Sequence, residues 1–173
     1  ALRVANIGGA LSDLGFAVED WGDVTPEQVS LSLGGQTHHE NEVAGFARAL
    51  YKNGVDAFSK GMLPIFLGGD HSLSMGTVTA AARHAAAMGK TLHVLWLDAH
   101  PDFNRPDTSH SGNMHGMSAA FFCGEPGFDG ILEQPIDPVD PRHFHVFGVR
   151  SIDQKEGELL RERGVDVMDM RHI

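Results

Sequence analysis

The feature that most constrains this chain lies in residues 91–116, where an apolar run ends in a cluster of acids and histidines. Residues 92–97, broken only by His93, pass directly into Asp98-Ala99-His100-Pro101-Asp102. A polar loop over 104–111 then leads to Gly112-Asn113-Met114-His115-Gly116. A short run rich in Leu and Val that closes on Asp and His reads as a buried strand delivering ligands at its carboxyl end. On extended backbone Asp98, His100 and Asp102 share one side. Two carboxylates and an imidazole brought together would repel one another and resist desolvation unless a cation neutralised them. The stretch therefore predicts a metal site rather than a plain polar loop.

Composition limits the alternatives. The 173 residues suffice for one domain with a sizeable core, and 42% hydrophobic with 21% charged residues is too apolar for a disordered chain. A net charge of -10 with no Lys/Arg-rich run disfavours nucleic acid and anionic membranes. It attracts cations, either metals or a basic small substrate. The single cysteine, Cys123, excludes an intrachain disulfide and suits a reducing compartment. No apolar run has membrane-spanning length and no signal peptide is visible, so the expected location is cytoplasmic.

In chain order, residues 1–14 look helical but lack an N-cap and an initiating methionine, as if the chain began inside an element. Residues 16–20 are a short strand candidate. Val43, Phe46, Ala47, Leu50 and Phe58 predict an amphipathic helix over 40–59, ended by Gly61. A second apolar strand candidate at 62–67 gives way to Gly68-Gly69-Asp70-His71-Ser72. An alanine-rich helix over 74–88 follows, stopped by Gly89. After Gly116 a short helix reaches Phe122, and residues 124–142, with four prolines, form a long surface loop. A strand at 143–149, a helix at 151–162 and a strand at 165–170 complete the pattern. Alternating strands and helices predict an α/β domain: three α/β/α layers around a mainly parallel sheet. The carboxyl ends of such strands line the binding crevice. His71, the 98–102 segment and Asp153 all follow strand candidates.

His71 stands just past a strand end at a helix start, as a further ligand or as an incidental histidine in a Gly-rich turn. A carboxylate-rich set with few imidazoles suits a hard or borderline ion such as manganese better than zinc. Asp98-x-His100-x-Asp102 offers more donors than one ion needs, so two metals sharing Asp98 are plausible. Such a pair would make hydroxide available near neutral pH. No Gly-x-Ser-x-Gly elbow supplies a protein nucleophile instead. His143 and His145 share a strand face and could in principle pair on a metal. His38, His39, His84, His93, His110 and His172 read as surface or packing residues, and Cys123 as a small buried hydrophobe.

Gly69-Asp70-His71-Ser72, Asp98-Ala99-His100-x-Asp102-x-Asn104 and Ser111-Gly112-Asn113-Met114-His115-Gly116, in this order and spacing, resemble the arginase branch of the ureohydrolases. The likeness runs from about Leu14 to the chain's end. It implies two Mn2+ ions, one held by His71, Asp98 and Asp102, its neighbour by His100 and Asp98. It implies that a metal-bridging hydroxide attacks the guanidinium carbon of L-arginine, giving ornithine and urea. Asp102 would bond the hydroxide and relay its proton to the departing amine, and His115 would exchange protons with solvent. Asn104, Ser109, Ser111 and Asn113 fall where arginases hold the α-carboxylate, and Asp153 and Glu156 where they meet the α-amino group. Asp-x-x-Glu at a helix start is also a capping box, sufficient by itself to explain both acids. Agmatine hydrolases lack the Ser-Gly-Asn-x-His-Gly form, which favours arginine.

The same resemblance implies a single, partial ureohydrolase domain over 1–173, incomplete at both ends. The family begins with a strand and Gly-rich turn absent here, and later supplies an Asp-x-Asp motif and a guanidinium-binding Glu. Residues 1–173 alone are expected to be inactive and to bind metal weakly. The family is usually trimeric or hexameric, so a homo-oligomer is expected. The competing readings are an agmatinase, another guanidino-acid hydrolase or a metal-dependent deacetylase, and a non-catalytic metal-binding subunit. A deacetylase would follow its Asp-x-His with His and Gly, where this chain has Pro101. Metallophosphoesterases order their motifs differently.

Overall fold

A computed structural model describes residues 3–34 and 37–170. Its elements in chain order are α1 (Ile7–Asp13), α2 (Glu40–Ser59), α3 (Ser74–Ala87), β1 (Val94–Leu97), α4 (Ser118–Phe122), β2 (Phe144–Val149), α5 (Gln154–Arg163) and β3 (Asp166–Asp169). The strands form a parallel sheet in the order β1-β2-β3. Parallel neighbours need crossovers, and α4 with the 124–142 segment, then α5, supply them.

The two longest helices pack closely because glycine allows it. A Cβ on Gly76 of α3 would lie 2.3 Å from the Ala47 carbonyl oxygen of α2, and one on Gly54 would lie 2.6 Å from Ala80 Cβ. Ala44 and Ala47 of α2 and Met75 and Ala82 of α3 join the core at this contact. One face of the sheet joins the same core through Trp96, Phe144, Val146 and Val149. Phe122 stands edge-on to Phe144 with centroids 5.4 Å apart, and Phe103 stacks on Phe144 at 6.0 Å. The opposite face carries Leu95, Leu97, Phe147 and Met168, all exposed.

Two strand candidates are not strands. Residues 16–20 and 62–67 make no ladder, and Phe16, Leu63, Ile65 and Leu67 stand in solvent. An apolar alternating segment becomes a strand only when a neighbour takes its backbone hydrogen bonds, and neither segment has one among the described residues. The first helix is shorter than expected and is capped after all. Asn6, with φ 57°, accepts a hydrogen bond from Gly9 N–H at 3.2 Å; residues 1–2 lie outside the described residues. The 124–142 segment is irregular, but it is not merely surface: Phe128, Ile131, Leu132 and Val139 are buried in the core. Arg48 of α2 ties it down through the carbonyls of Gly130 and Ile131 at 2.7 and 3.0 Å. Among the described residues no helix is long and apolar enough to cross a membrane.

Candidate metal centre

The site begins where β1 turns from ladder to loop. Asp98 N–H still donates to the Phe147 carbonyl at 3.1 Å, and the N–H groups of Arg150 and Ser151 donate to Ala99 O at 2.9 and 3.2 Å. The carboxyl ends of β1 and β2 are thus pinned together with Asp98 at the sheet's open end, where ligands bind in this class of fold.

His71 arrives from another direction. Asp70 caps a 3-10 turn, His71–Leu73, by accepting from Ser72 N–H at 2.9 Å, and the turn runs into α3. The hydroxyls of Ser74 and Ser118 donate to the His71 carbonyl at 2.5 and 2.9 Å. The imidazole lies against Trp96, centroids 4.4 Å apart. So α3, α4 and β1 all brace one histidine.

His71 Nδ1 lies 2.7 Å from Asp98 Oδ2 and 3.0 Å from Asp102 Oδ2. One ligand atom from each of the three residues lies within 4.8 Å of the others. A single Nδ1 carries at most one proton and cannot serve both carboxylates. Burial pushes the Asp102 carboxyl up to about 6; the His71 hydrogen bond opposes this and the Asp98 charge adds to it. Converging acids with surplus negative charge, one of them desolvated, are the donor set a divalent cation fits. His71, Asp98 and Asp102 are therefore a candidate metal-binding group. His100 stands at the other Asp98 oxygen, its N–H donating to Oδ1 at 3.2 Å and its Nδ1 3.8 Å away.

Strand alternation does not produce this convergence. Beyond Leu97 the backbone leaves the strand, and Asp102 adopts φ 52°, a left-handed conformation uncommon outside glycine. Three contacts hold it there. Ala119 N–H donates to Asp102 O at 2.9 Å, Phe103 N–H to Glu156 Oε1 at 2.8 Å, and Asn104 N–H to Gly116 O at 3.1 Å. Glu156 also accepts from Asp153 N–H at 3.3 Å, completing a capping box at the start of α5. Both its carboxylate oxygens are thus committed to backbone, and burial pushes this acid up to about 7, against the lowering effect of those two hydrogen bonds.

The remaining expected site residues are distributed along the same rim. Asn104 is buried and its amide nitrogen approaches Asp153 Oδ2 at 3.4 Å, while Asp153 itself is exposed. Ser109 and Ser111 accept from the N–H groups of Gly112 and Asn113 at 3.0 and 3.2 Å, so both hydroxyls shape the loop. Asn113 and His115 line a small cleft with Asp70 and Ser72, and His115 Nδ1 is 4.0 Å from Asp70 Oδ2. The sequence reading missed His38 and His39 there. His38 pairs with Asn113 as an isolated parallel bridge, its N–H donating to Gly112 O at 2.9 Å. No periodicity in a polar loop could have announced a contact with a segment so remote in sequence.

Residues 1–173 match the arginase family. The chain belongs to the arginase family. An arginase from Agrobacterium fabrum is 40% identical over 178 residues, which is 99% of this chain and 53% of that protein. The arginase of Bacillus subtilis is 33% identical and is covered over 57% of its length. The chain thus spans about half the length of the curated relatives it matches. Crystal structures agree: B. subtilis arginase superposes with a TM-score of 0.86 at 32% identity, over 99% of this chain and 56% of that one. Bacillus caldovelox arginase gives 0.85 at 32% identity, over 98% and 57%. The fold is the arginase-like α/β fold with a parallel sheet, partial relative to those structures. A formimidoylglutamase from B. subtilis, 21% identical with a TM-score of 0.58, shares the fold alone.

Proposed function

We propose that the whole protein is an arginase, hydrolysing the guanidinium group of L-arginine to L-ornithine and urea. The observation that carries this reading is the meeting of His71 with Asp98 and Asp102 at the sheet's open end, in a chain of the arginase family. His71, Asp98 and Asp102 would hold one Mn2+, and Asp98 with His100 a second. Bound there, the ions supply a water acidic enough to ionise near neutral pH.

The chain's own residues do the rest. Asp102, buried and beside His71, accepts a hydrogen bond from the attacking water and passes its proton to the departing nitrogen. Water adds to the guanidinium carbon, the C–N bond to the ornithine side chain breaks, and the amine leaves carrying the relayed proton. Exposed His115, across the cleft from Asp70, exchanges protons with solvent. Asn104, Ser109, Ser111 and Asn113 orient the α-carboxylate through neutral donors. Asp153, with Glu156 behind it, meets the α-amino group. Support for an amino-acid end comes from the Asn104–Asp153 contact, which brings a neutral donor and an acid to one place. The same reading makes the protein a cytoplasmic homo-oligomer, trimer or hexamer.

The test is urea release by the full-length protein from L-arginine and from agmatine, with and without Mn2+. Arginine should be strongly preferred, since agmatine has no carboxylate for the neutral donors. Equal turnover of both, or release from agmatine alone, would overturn the assignment.

A further inference from the structure

The loop that carries the proposed carboxylate-binding residues is built around one residue, Arg105. Its carbonyl accepts from the N–H groups of Thr108 and Ser109 at 3.0 and 2.9 Å, closing a turn over 105–109. Its own N–H donates to Thr108 Oγ1 at 2.8 Å, and that hydroxyl lies 3.2 Å from Asn104 Oδ1. Its guanidinium donates to both carboxylate oxygens of Asp107, each at 3.0 Å. Asn104 and Ser109 therefore take their places from Arg105. All of these bonds lie within the loop, so another contact must fix the turn to the domain.

Glu125 supplies it. Its side chain is 5% exposed, and a carboxylate so buried needs cationic partners. Arg163, in the last turn of α5, donates from Nε to Oε1 at 2.5 Å, and a terminal nitrogen of Arg105 stands 3.6 Å from Oε2. The Glu125 backbone is set independently by the end of α4. Glu125 N–H donates to Ala120 O at 3.0 Å and Gly124 N–H to Phe121 O at 2.9 Å, with Gly124 at φ 80°, a Schellman motif. Two residues on, Gly127 admits the turn itself: a Cβ there would stand 3.3 Å from Pro106 Cδ. Helix α5 thus braces the loop from both ends, Glu156 at Phe103 N–H and Arg163 at Glu125.

We propose that Glu125 is a positioning residue for substrate recognition, holding Arg105 so that Asn104 and Ser109 meet the α-carboxylate. The inference rests on the arginase reading for the identity of the substrate. Glu125 acts through Arg105 and not on the guanidinium, so its loss weakens ground state and transition state alike, and KM responds rather than kcat.

The full-length, manganese-loaded protein is compared with two variants. Glu125→Gln removes the charge and keeps the volume; Arg105→Gln alters a partly exposed side chain outside the core. Each should raise KM for L-arginine about ten-fold with kcat within about two-fold, equivalent to one misplaced hydrogen bond to the carboxylate. Agmatine, which has no carboxylate, should keep its KM. Amide exchange, read without substrate, should be about ten-fold faster at Thr108 and Ser109 in both variants. Unchanged protection there, or an unchanged KM for arginine, would overturn the proposal. So would an equal loss on agmatine, the mark of a general structural defect. A wild-type protein that hydrolyses no arginine would instead overturn the arginase reading, and amide exchange alone would then decide whether Glu125 holds the turn.

Discussion

Glu156 offers the sharpest quantitative test of the local physics. Its carboxylate is buried and accepts two backbone N–H groups, yet desolvation outweighs them and raises its pKa from 4.5 to about 7. A carboxyl that titrates higher in the folded chain binds its proton more tightly there. Its contribution is therefore most favourable below pH 4.5 and is lost as pH rises towards 7. Linkage puts the loss at about 3 kcal/mol by pH 7, and under about 0.5 kcal/mol at pH 4.5. In Glu156→Gln the amide oxygen keeps one N–H while its NH2 opposes the other, a pH-independent penalty of about 1–3 kcal/mol. The variant should therefore be less stable than wild type near pH 4.5 and draw level near pH 7, a relative change of about 2–3 kcal/mol. Urea denaturation of the chelated full-length proteins between pH 4.5 and 8 measures it. Stability curves that run parallel across that range would refute the reasoning.

Gly76→Ala forces a Cβ to 2.3 Å from the Ala47 carbonyl oxygen and should destabilise the α2–α3 contact by about 1–3 kcal/mol, read as a lowered Tm; an unchanged Tm contradicts the packing. Asp102, raised to about 6 by burial, must lose its proton to solvent when a cation binds. Manganese binding should then release more protons at pH 5.5 than at pH 8, seen as a larger dependence of binding enthalpy on buffer ionisation at the lower pH; equal release at both rules this out. His115→Ala should lower kcat by about 100-fold with bound manganese unchanged, and loss of the metal would mean that this histidine has a different role.

Much of this was legible in the sequence because it is local. Apolar spacing marked α2 to the residue, since a twenty-residue amphipathic face leaves little freedom. The Asp-x-x-Glu box marked the start of α5, and the apolar run into Asp98 marked β1. What failed depended on partners. Residues 62–67 have a strand's composition but no neighbour to pair with among those described, so Leu63, Ile65 and Leu67 stay exposed. At the site, ligand atoms of His71, Asp98 and Asp102 lie together as the sequence led one to expect, within 4.8 Å of one another, but not by the expected route. Alternation was expected to align the acids, whereas the left-handed turn at Asp102, held by Ala119 and Glu156, brings them together. That turn depends on contacts from α4 and α5, which no window around Asp102 contains.

The central claim is that Asp98 joins His71 and Asp102 around divalent ions that the hydrolysis requires. Counting bound Mn2+ by electron paramagnetic resonance in the full-length protein and its Asp98→Ala variant, alongside urea release from L-arginine, tests it most directly. The account predicts two ions per chain in the wild type, with binding and activity lost together in the variant. An Asp98→Ala protein that keeps both would contradict it.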